Sequence, residues 1–318
     1  MELNVLDTNT LLLSQYQQKW ESRSSIRTRP RKAIDFSLSG YFYPIDKQVL
    51  FLIPEIASLS IEKKTDILIL SFCKYLQDII QLEIKWIYPA CHSIMHKSLP
   101  VAYSELIKLN TSTIIIDEYY HVYIAYDLLH QLRESFPHLP ELNNNFSDAN
   151  HAMVTIKSRL DEKYPELFEI LAVCIFETTL IRELVTYFDS DTVHPSVKYY
   201  MNDHMNDEAR HFGFFYSLFS YTWESLSEDY KQAIGAQLGD FITLYLNIQS
   251  EIQYNEAVLA WILEDKARAK TEVEKLYKSF EISPELPIIK NVLNVLTKIG
   301  VLSHKSVRKG FQEKGLIA

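Results

Sequence analysis

Glycine is scarce in this chain: 7 of 318 residues, about a third of average usage. Tight turns and hairpins depend on that residue. Its scarcity, with 11 prolines spaced well apart, argues against a many-stranded sheet and suits long helices. Cysteine is rarer still, and Cys73, Cys91 and Cys174 are odd in number and far apart. They form no Cys-x-x-Cys pair and no disulfide framework, so a reducing cytoplasm is the expected location. Positive charge is in deficit, with 32 Lys and Arg against 41 Asp and Glu for a net −9. No basic stripe follows a helical period, and phosphate binding needs clustered cations, so nucleic acid is not an expected partner. No uncharged apolar run approaches the roughly 18 residues of a membrane span. The longest, residues 211–223, is too short and rich in aromatics. The opening Met1-Glu2-Leu3-Asn4 is acidic and precedes no apolar core, so no signal peptide is expected.

What is present is helical period. The expected fold is all-α, a single helical domain over residues 1–318. Residues 1–57 form an N-terminal accessory segment, 58–225 a helix bundle, and 226–318 C-terminal supporting helices. In the first part a short helix is expected over 11–23. Arg27, Arg29, Arg31 and Lys32, around Pro30, read as a solvated loop. Ser60 is placed to cap a helix running to Trp86, with Pro89 ending or kinking it. A second helix is expected over 111–134 and a third over 165–188, with Pro165 in its first turn. A fourth, led in by His194-Pro195, runs on through Tyr216. Beyond it, one amphipathic helix is expected over 240–264 and a last one from Pro287 to about Lys298. A tail carrying Lys305, Arg308, Lys309 and Lys314 reads as a solvated end.

Within these helices a few ionisable residues sit on apolar stripes. Glu83 lies on the stripe of Leu76, Ile79 and Ile80, and Glu177 is deep inside the run 171–181. A carboxylate in such a place is costly unless it is paired, hydrogen-bonded or bound to a cation. Glu118 and His121 stand at i and i+3, on one helix face, as do Glu208 and His211. The pattern is twofold. Glu83 precedes Glu118-x-x-His121 by 35 residues, and Glu177 precedes Glu208-x-x-His211 by 31. Two antiparallel helix pairs would each give one lone glutamate and one Glu-x-x-His, the ligand set of a bundle site for two iron or manganese ions. Four carboxylates offset the charge of two cations and can bridge them, and the imidazoles keep the ions redox-capable. Asp117 and Asp207, each just before a ligand glutamate, are candidates to accept the far ring N–H of a histidine. Zinc is disfavoured, since His-Glu-x-x-His and cysteine pairs are both missing. His204, one turn before Glu208 on the same face, is either a core histidine or a seventh protein ligand to the metal that His211 serves.

The whole pattern resembles the p-aminobenzoate N-oxygenase-like di-iron enzymes of the ferritin-like superfamily. Their motif of a lone Glu, Glu-x-x-His, a lone Glu and His-x-x-x-Glu-x-x-His is matched by Glu83, Glu118 with His121, Glu177, and His204 with Glu208 and His211. The stretch 20–27, Trp-Glu-Ser-Arg-Ser-Ser-Ile-Arg, is also similar to the family's opening segment. The resemblance covers roughly 15–300, and its specific part is 83–211. It implies a ferritin-like four-helix bundle, extended at both ends, holding two iron ions with manganese as the lesser choice. It implies O2 as co-substrate, an external electron donor, and oxidation of a primary amine toward hydroxylamine, nitroso and nitro products in secondary metabolism. A homodimer is also implied. Tyr119, Tyr120, Tyr123, Phe212 and Phe215 lie beside the ligands in sequence and are candidates to line the amine pocket. Two other functions share much of the pattern: a di-iron hydroxylase or desaturase acting on carbon, and a ferritin-like iron-binding or ferroxidase protein. Among these, the extra histidine favours the N-oxygenase.

Overall fold

A computed structural model describes residues 15–16, 18–20, 22–142, 144, 146–179 and 187–318. The described residues form helices and no strand; the one β-bridge joins Tyr41 to Val193. Helix α1, Ile61–Leu82, starts where the Ser60 hydroxyl accepts the Lys63 N–H, satisfying one of the unpaired first-turn donors. Its continuation is not an ordinary helix. Glu83–Ile87 is a π-turn in which the Tyr88 N–H reaches the Glu83 carbonyl, and α2, Tyr88–His96, follows with Pro89 in its first turn. Pro89, expected to end or kink the helix, instead follows a turn widened by one residue. It has no N–H to return to the preceding turn.

Helix α3, Glu105–Ser135, begins six residues earlier than expected because Ser104 caps the Ile107 N–H. Helix α4, Asp148–Lys157, crosses the connection to α5, Pro165–Thr179. The rest of the third expected helix, and part of the expected 11–23 helix, lie outside the described residues. Helix α6, Pro195–Ser225, opens with Pro195 after His194, whose Nδ1 accepts the Ser196 N–H at 3.1 Å. Helices α1 and α3 pair with each other, as do α5 and α6. Both pairs are antiparallel, since opposite ends of each chain run meet in the same apolar cluster.

The C-terminal part differs in detail from expectation. After α7, Glu228–Gly235, residues 240–264 do not form one helix but divide between α8, Leu238–Tyr245, and α9, Gln249–Leu263. The break between α8 and α9 falls at Asn247, whose side chain accepts the Ile248 N–H at 3.1 Å and competes with the helix ladder. Helices α10, Lys266–Tyr277, and α11, Pro287–Lys298, are followed by α12, Lys305–Glu313. The four basic residues of this last stretch are exposed, but it is not merely a solvated end, because Val307 and Phe311 are fully buried. Here glycine is required by space. A Cβ on Gly239 would lie 2.4 Å from the Gly310 carbonyl oxygen, so α8 and α12 cross backbone against backbone.

Two apolar clusters fill the bundle. One holds Leu76, Ile79, Val122, Ala125 and Tyr200. The other holds Ile87, Ile114, Val173, Phe176 and Phe214. On α1, α3 and α6 the polar residues of interest fall between these two sets, so the bundle centre is a charged layer between apolar ones.

Candidate metal centre

All seven residues singled out by spacing converge. Glu83, His121, His204 and Glu208 offer ligand atoms within 4.8 Å of one another, and so do Glu118, Glu177, Glu208 and His211. None is more than 8% exposed. Glu83 comes from the π-turn after α1, Glu118 and His121 from α3, Glu177 from α5, and the other three from α6.

The two groups are joined through carboxylates. Glu118 presents Oε2 to His121 Nδ1 at 3.3 Å and Oε1 to His211 Nδ1 at 3.0 Å. Glu208 Oε1 lies 3.1 Å from His204 Nε2, 3.4 Å from His121 Nδ1 and 3.6 Å from His211 Nδ1. His204 therefore groups with Glu83 and His121. It does not group with His211, as the sequence reading expected. The helix explains this: His204 and His211 are seven residues apart, about 10 Å along α6, with Glu208 between them.

Each imidazole is also held from behind. His121 Nε2–H donates to Asp207 Oδ2 at 3.2 Å, and His211 Nε2–H donates to Asp117 Oδ2 at 3.3 Å. The aspartates thus do what their position beside the ligands suggested, but crosswise, each holding the histidine of the other helix. His204 Nδ1 meets the Tyr200 hydroxyl at 3.3 Å. Arg210 ties the two aspartates together, its Nη2 lying 3.3 Å from Asp117 Oδ2 and in contact with Asp207. Trp20 Nε1–H donates to Asp117 Oδ2 at 2.7 Å, and the Ser25 N–H donates to Asp207 Oδ1 at 3.1 Å. These supports were not singled out from sequence. Arg210 had one usable signal, an arginine three residues after Asp207 and two after a candidate ligand.

The same docking corrects the reading of the basic segment. Lys32 is 2% exposed and paired with Asp203, Arg29 Nε lies 3.2 Å from Asp203 Oδ1, and Arg31 is bidentate on Asp127. The segment is clamped onto α3 and α6 because burying Asp203 requires cations beside it.

So many buried ionisable groups cannot all carry charge without compensation. Burial, aided by Glu118, drives the Glu83 carboxyl well above the usual carboxylate range, and burial with Glu208 and Glu118 does the same to Glu177. Burial and Glu208 also push Glu118 upward, but the two imidazoles outweigh them and hold it low. Burial would lower His121, yet hydrogen bonds from Asp207, Glu118 and Glu83 raise it well above the usual imidazole value. Among the described residues, Glu83 Oε2 and Glu177 Oε2 are buried without a hydrogen-bond partner, which buried carboxylate oxygens rarely tolerate. A mixed carboxylate and imidazole donor set with unpaired oxygens facing inward fits two iron ions.

A cavity of about 270 Å³ opens beside the ligands. Glu83, Glu177, His204 and Glu208 form one side, and Tyr75, Asp78, Ile79, Leu82, Ile87 and Phe176 form the rest. None of the five aromatics expected to line the pocket is among these. Tyr119, Tyr123 and Phe212 are 48%, 54% and 37% exposed. Tyr120 is partly buried and stacks on Tyr123, while Phe215 is buried against Phe214 in the lower cluster. Residues next to a ligand on the same helix are turned about 100° away from it. The cavity wall comes instead from residues around the two lone glutamates: Ile79, Leu82 and Ile87 beside Glu83, and Phe176 beside Glu177.

No described helix is long and apolar enough to cross a membrane. No curated protein matches the chain. The sequence profile of the family described as p-aminobenzoate N-oxygenase AurF matches residues 12–279, most of the chain and every residue of the ligand cluster. The chain therefore belongs to the p-aminobenzoate N-oxygenase family.

Proposed function

We propose that this protein is a di-iron, O2-dependent N-oxygenase that oxidises a small primary amine toward hydroxylamine, nitroso or nitro products in secondary metabolism. The observation that carries the reading is the buried seven-residue cluster, four of whose members, Glu83, Glu177, His204 and Glu208, also line a mostly apolar cavity. Glu83, His121 and His204 would hold one iron, Glu177 and His211 the other, with Glu118 and Glu208 shared between them. When bound, the two ions supply reductive activation of O2 and transfer of an oxygen atom to nitrogen.

The chain's own residues do the rest. Asp207 and Asp117 fix His121 and His211 with Nδ1 turned inward, which sets both tautomers before any metal arrives. Ile79, Leu82, Ile87 and Phe176 keep water from the open side, strengthening each charge interaction within. A closed apolar cavity of about 150 Å³ holds benzene, so 270 Å³ admits one aromatic ring with its substituents. That size supports an arylamine.

The test is anaerobic reconstitution with Fe(II), iron analysis, and single turnover with O2 and p-aminobenzoate or a neutral arylamine. Two iron ions per chain and an N-oxidised product by mass spectrometry are expected. Less than one iron per chain, or oxidation confined to a C–H substrate, would overturn the reading.

A further inference from the structure

A second cavity, of about 580 Å³, lies on the far side of α6. At 100° per residue, Asn206, Arg210 and Gly213 stand about half a turn from the face bearing His204, Glu208 and His211. Lys19, Arg23, Arg29 and Arg210 contribute to its wall, and among the described residues no acidic side chain does. Lys19 and Arg23 are exposed. Arg29 and Arg210 already pair with Asp203, Asp117 and Asp207, so on a chain of net charge −9 the positive charge offered at the surface here is that of Lys19 and Arg23, where the N-terminal segment crosses α6.

The cavity wall is wired to the ligand cluster. Arg210 reaches Asp117 and Asp207, the carboxylates that hold His211 and His121. Trp20 is buried in the same N-terminal segment, and the Arg27 guanidinium lies 5.6 Å from its ring centre. The indole donates to Asp117 at 2.7 Å, and Asp117 accepts from His211 at 3.3 Å. One carboxylate therefore separates an indole in the surface segment from an imidazole of the site.

Oxygenation of an amine, RNH2 + O2 + 2 e− + 2 H+ → RNHOH + H2O, needs two electrons that the amine does not supply. We infer that the basic cavity docks the reductant, an acidic one-electron carrier protein bearing an iron–sulfur cluster, and that Trp20, Asp117 and His211 form the electron's route inward. This inference rests on the di-iron reading. In each of two encounters the carrier's cluster loses one electron and one ferric ion becomes ferrous. Trp20 and Asp117 end each transfer unchanged and serve only to bridge the gap. A reduced nicotinamide gives up its electrons as a hydride pair, which such a route cannot carry. The exposed cations at the rim suit steering of an acidic protein surface.

The test uses a reduced, acidic [2Fe–2S] ferredoxin as probe. Binding is measured by calorimetry on the metal-free protein at low salt, and electron transfer by stopped-flow on the diferric protein. The K19E/R23E double variant is expected to weaken binding and lower the bimolecular rate at least about tenfold, an effect that salt erases, as for other steered encounters. Its reduction by methyl viologen should match the parent. Trp20→Phe is expected to slow the limiting transfer rate per bound iron severalfold with unchanged ferredoxin affinity. Ferredoxin binding and reduction unaltered by the charge reversal would overturn the inference. So would direct reduction by NADH as fast as by ferredoxin, or an unaltered limiting rate in a folded Trp20→Phe protein. Failure to load iron would overturn the di-iron reading instead, while the calorimetric arm still reports on docking.

Discussion

Asp207 holds His121 across the bundle, Oδ2 to Nε2 at 3.2 Å, although it stands beside Glu208 on a different helix. Asp117 returns the arrangement to His211. Each Asp-Glu pair therefore serves two purposes at once: the glutamate faces the cluster, and the aspartate fixes the opposite helix's imidazole. Asp207→Asn and Asp117→Asn are expected to lower iron affinity about 10–100-fold each, the usual cost of losing such a support. Competition titration with a chelator measures it; parental affinity in both variants would remove the aspartates from the site.

Arg210 is the cation that both aspartates share. Arg210→Met removes the cation between two buried carboxylates, leaving them to their imidazole, indole and backbone partners, and is expected to cost about 3 kcal/mol of stability. Arg210→Lys should recover only part, because an ammonium cannot fork between two carboxylates. Urea unfolding of the metal-free protein reads both. A Met variant as stable as the parent would mean that Asp117 and Asp207 are neutralised by other means.

Iron uptake should release protons. Burial raises Glu83 and Glu177, and carboxylate neighbours raise His121 and His211 despite burial. These groups therefore give up protons less readily than free side chains do, and iron must displace those protons. The sign follows: apparent affinity falls as pH falls, because more protons compete. Calorimetry in buffers of different ionisation heat counts the protons released, and zero release near pH 7 would contradict this account.

His204 sits with Glu83 and His121. His204→Ala is expected to retain most of the iron, since six ligand side chains remain, and to change one of two iron environments. Mössbauer spectra of the loaded variant should show one altered and one parental doublet. Two parental doublets with parental activity would make His204 a plain core residue.

The amine cavity can be filled without touching a ligand. Leu82→Trp is expected to abolish arylamine binding while iron content stays parental, at a stability cost of about 1–3 kcal/mol from overpacking. Equilibrium dialysis with labelled amine reads the loss; undiminished binding would place the substrate elsewhere.

The ligands were legible because polarity in an apolar helical stripe is costly, and only a shared partner explains several such costs at matching intervals. Glu83 and Glu177 stand out for that reason alone, and the two Glu-x-x-His pairs follow from helix period. The crosswise aspartates were half legible: their adjacency showed, but which histidine each meets depends on how α3 faces α6. Trp20 and Ser25 were not legible as supports, since their contacts span 97 and 182 residues of sequence; Arg210 was half legible, three residues from Asp207 but 93 from Asp117. The pocket was misplaced because the expected residues neighbour the Glu-x-x-His pairs, whereas the cavity opens beside the lone glutamates Glu83 and Glu177. The π-turn was not expected, as no residue type announces it.

That turn has a consequence for how the chain can change. Five residues, Glu83–Ile87, close one ring where four would make an ordinary helix. The extra residue is taken up within that single turn, so α2 keeps the orientation that an unbroken helix would give it. Deleting one residue there would leave an ordinary helix with Ile87 and Cys91 still on their apolar cluster, while the backbone that aims Glu83 at the other ligands would be redrawn. Such a deletion should therefore cost iron binding before it costs the fold.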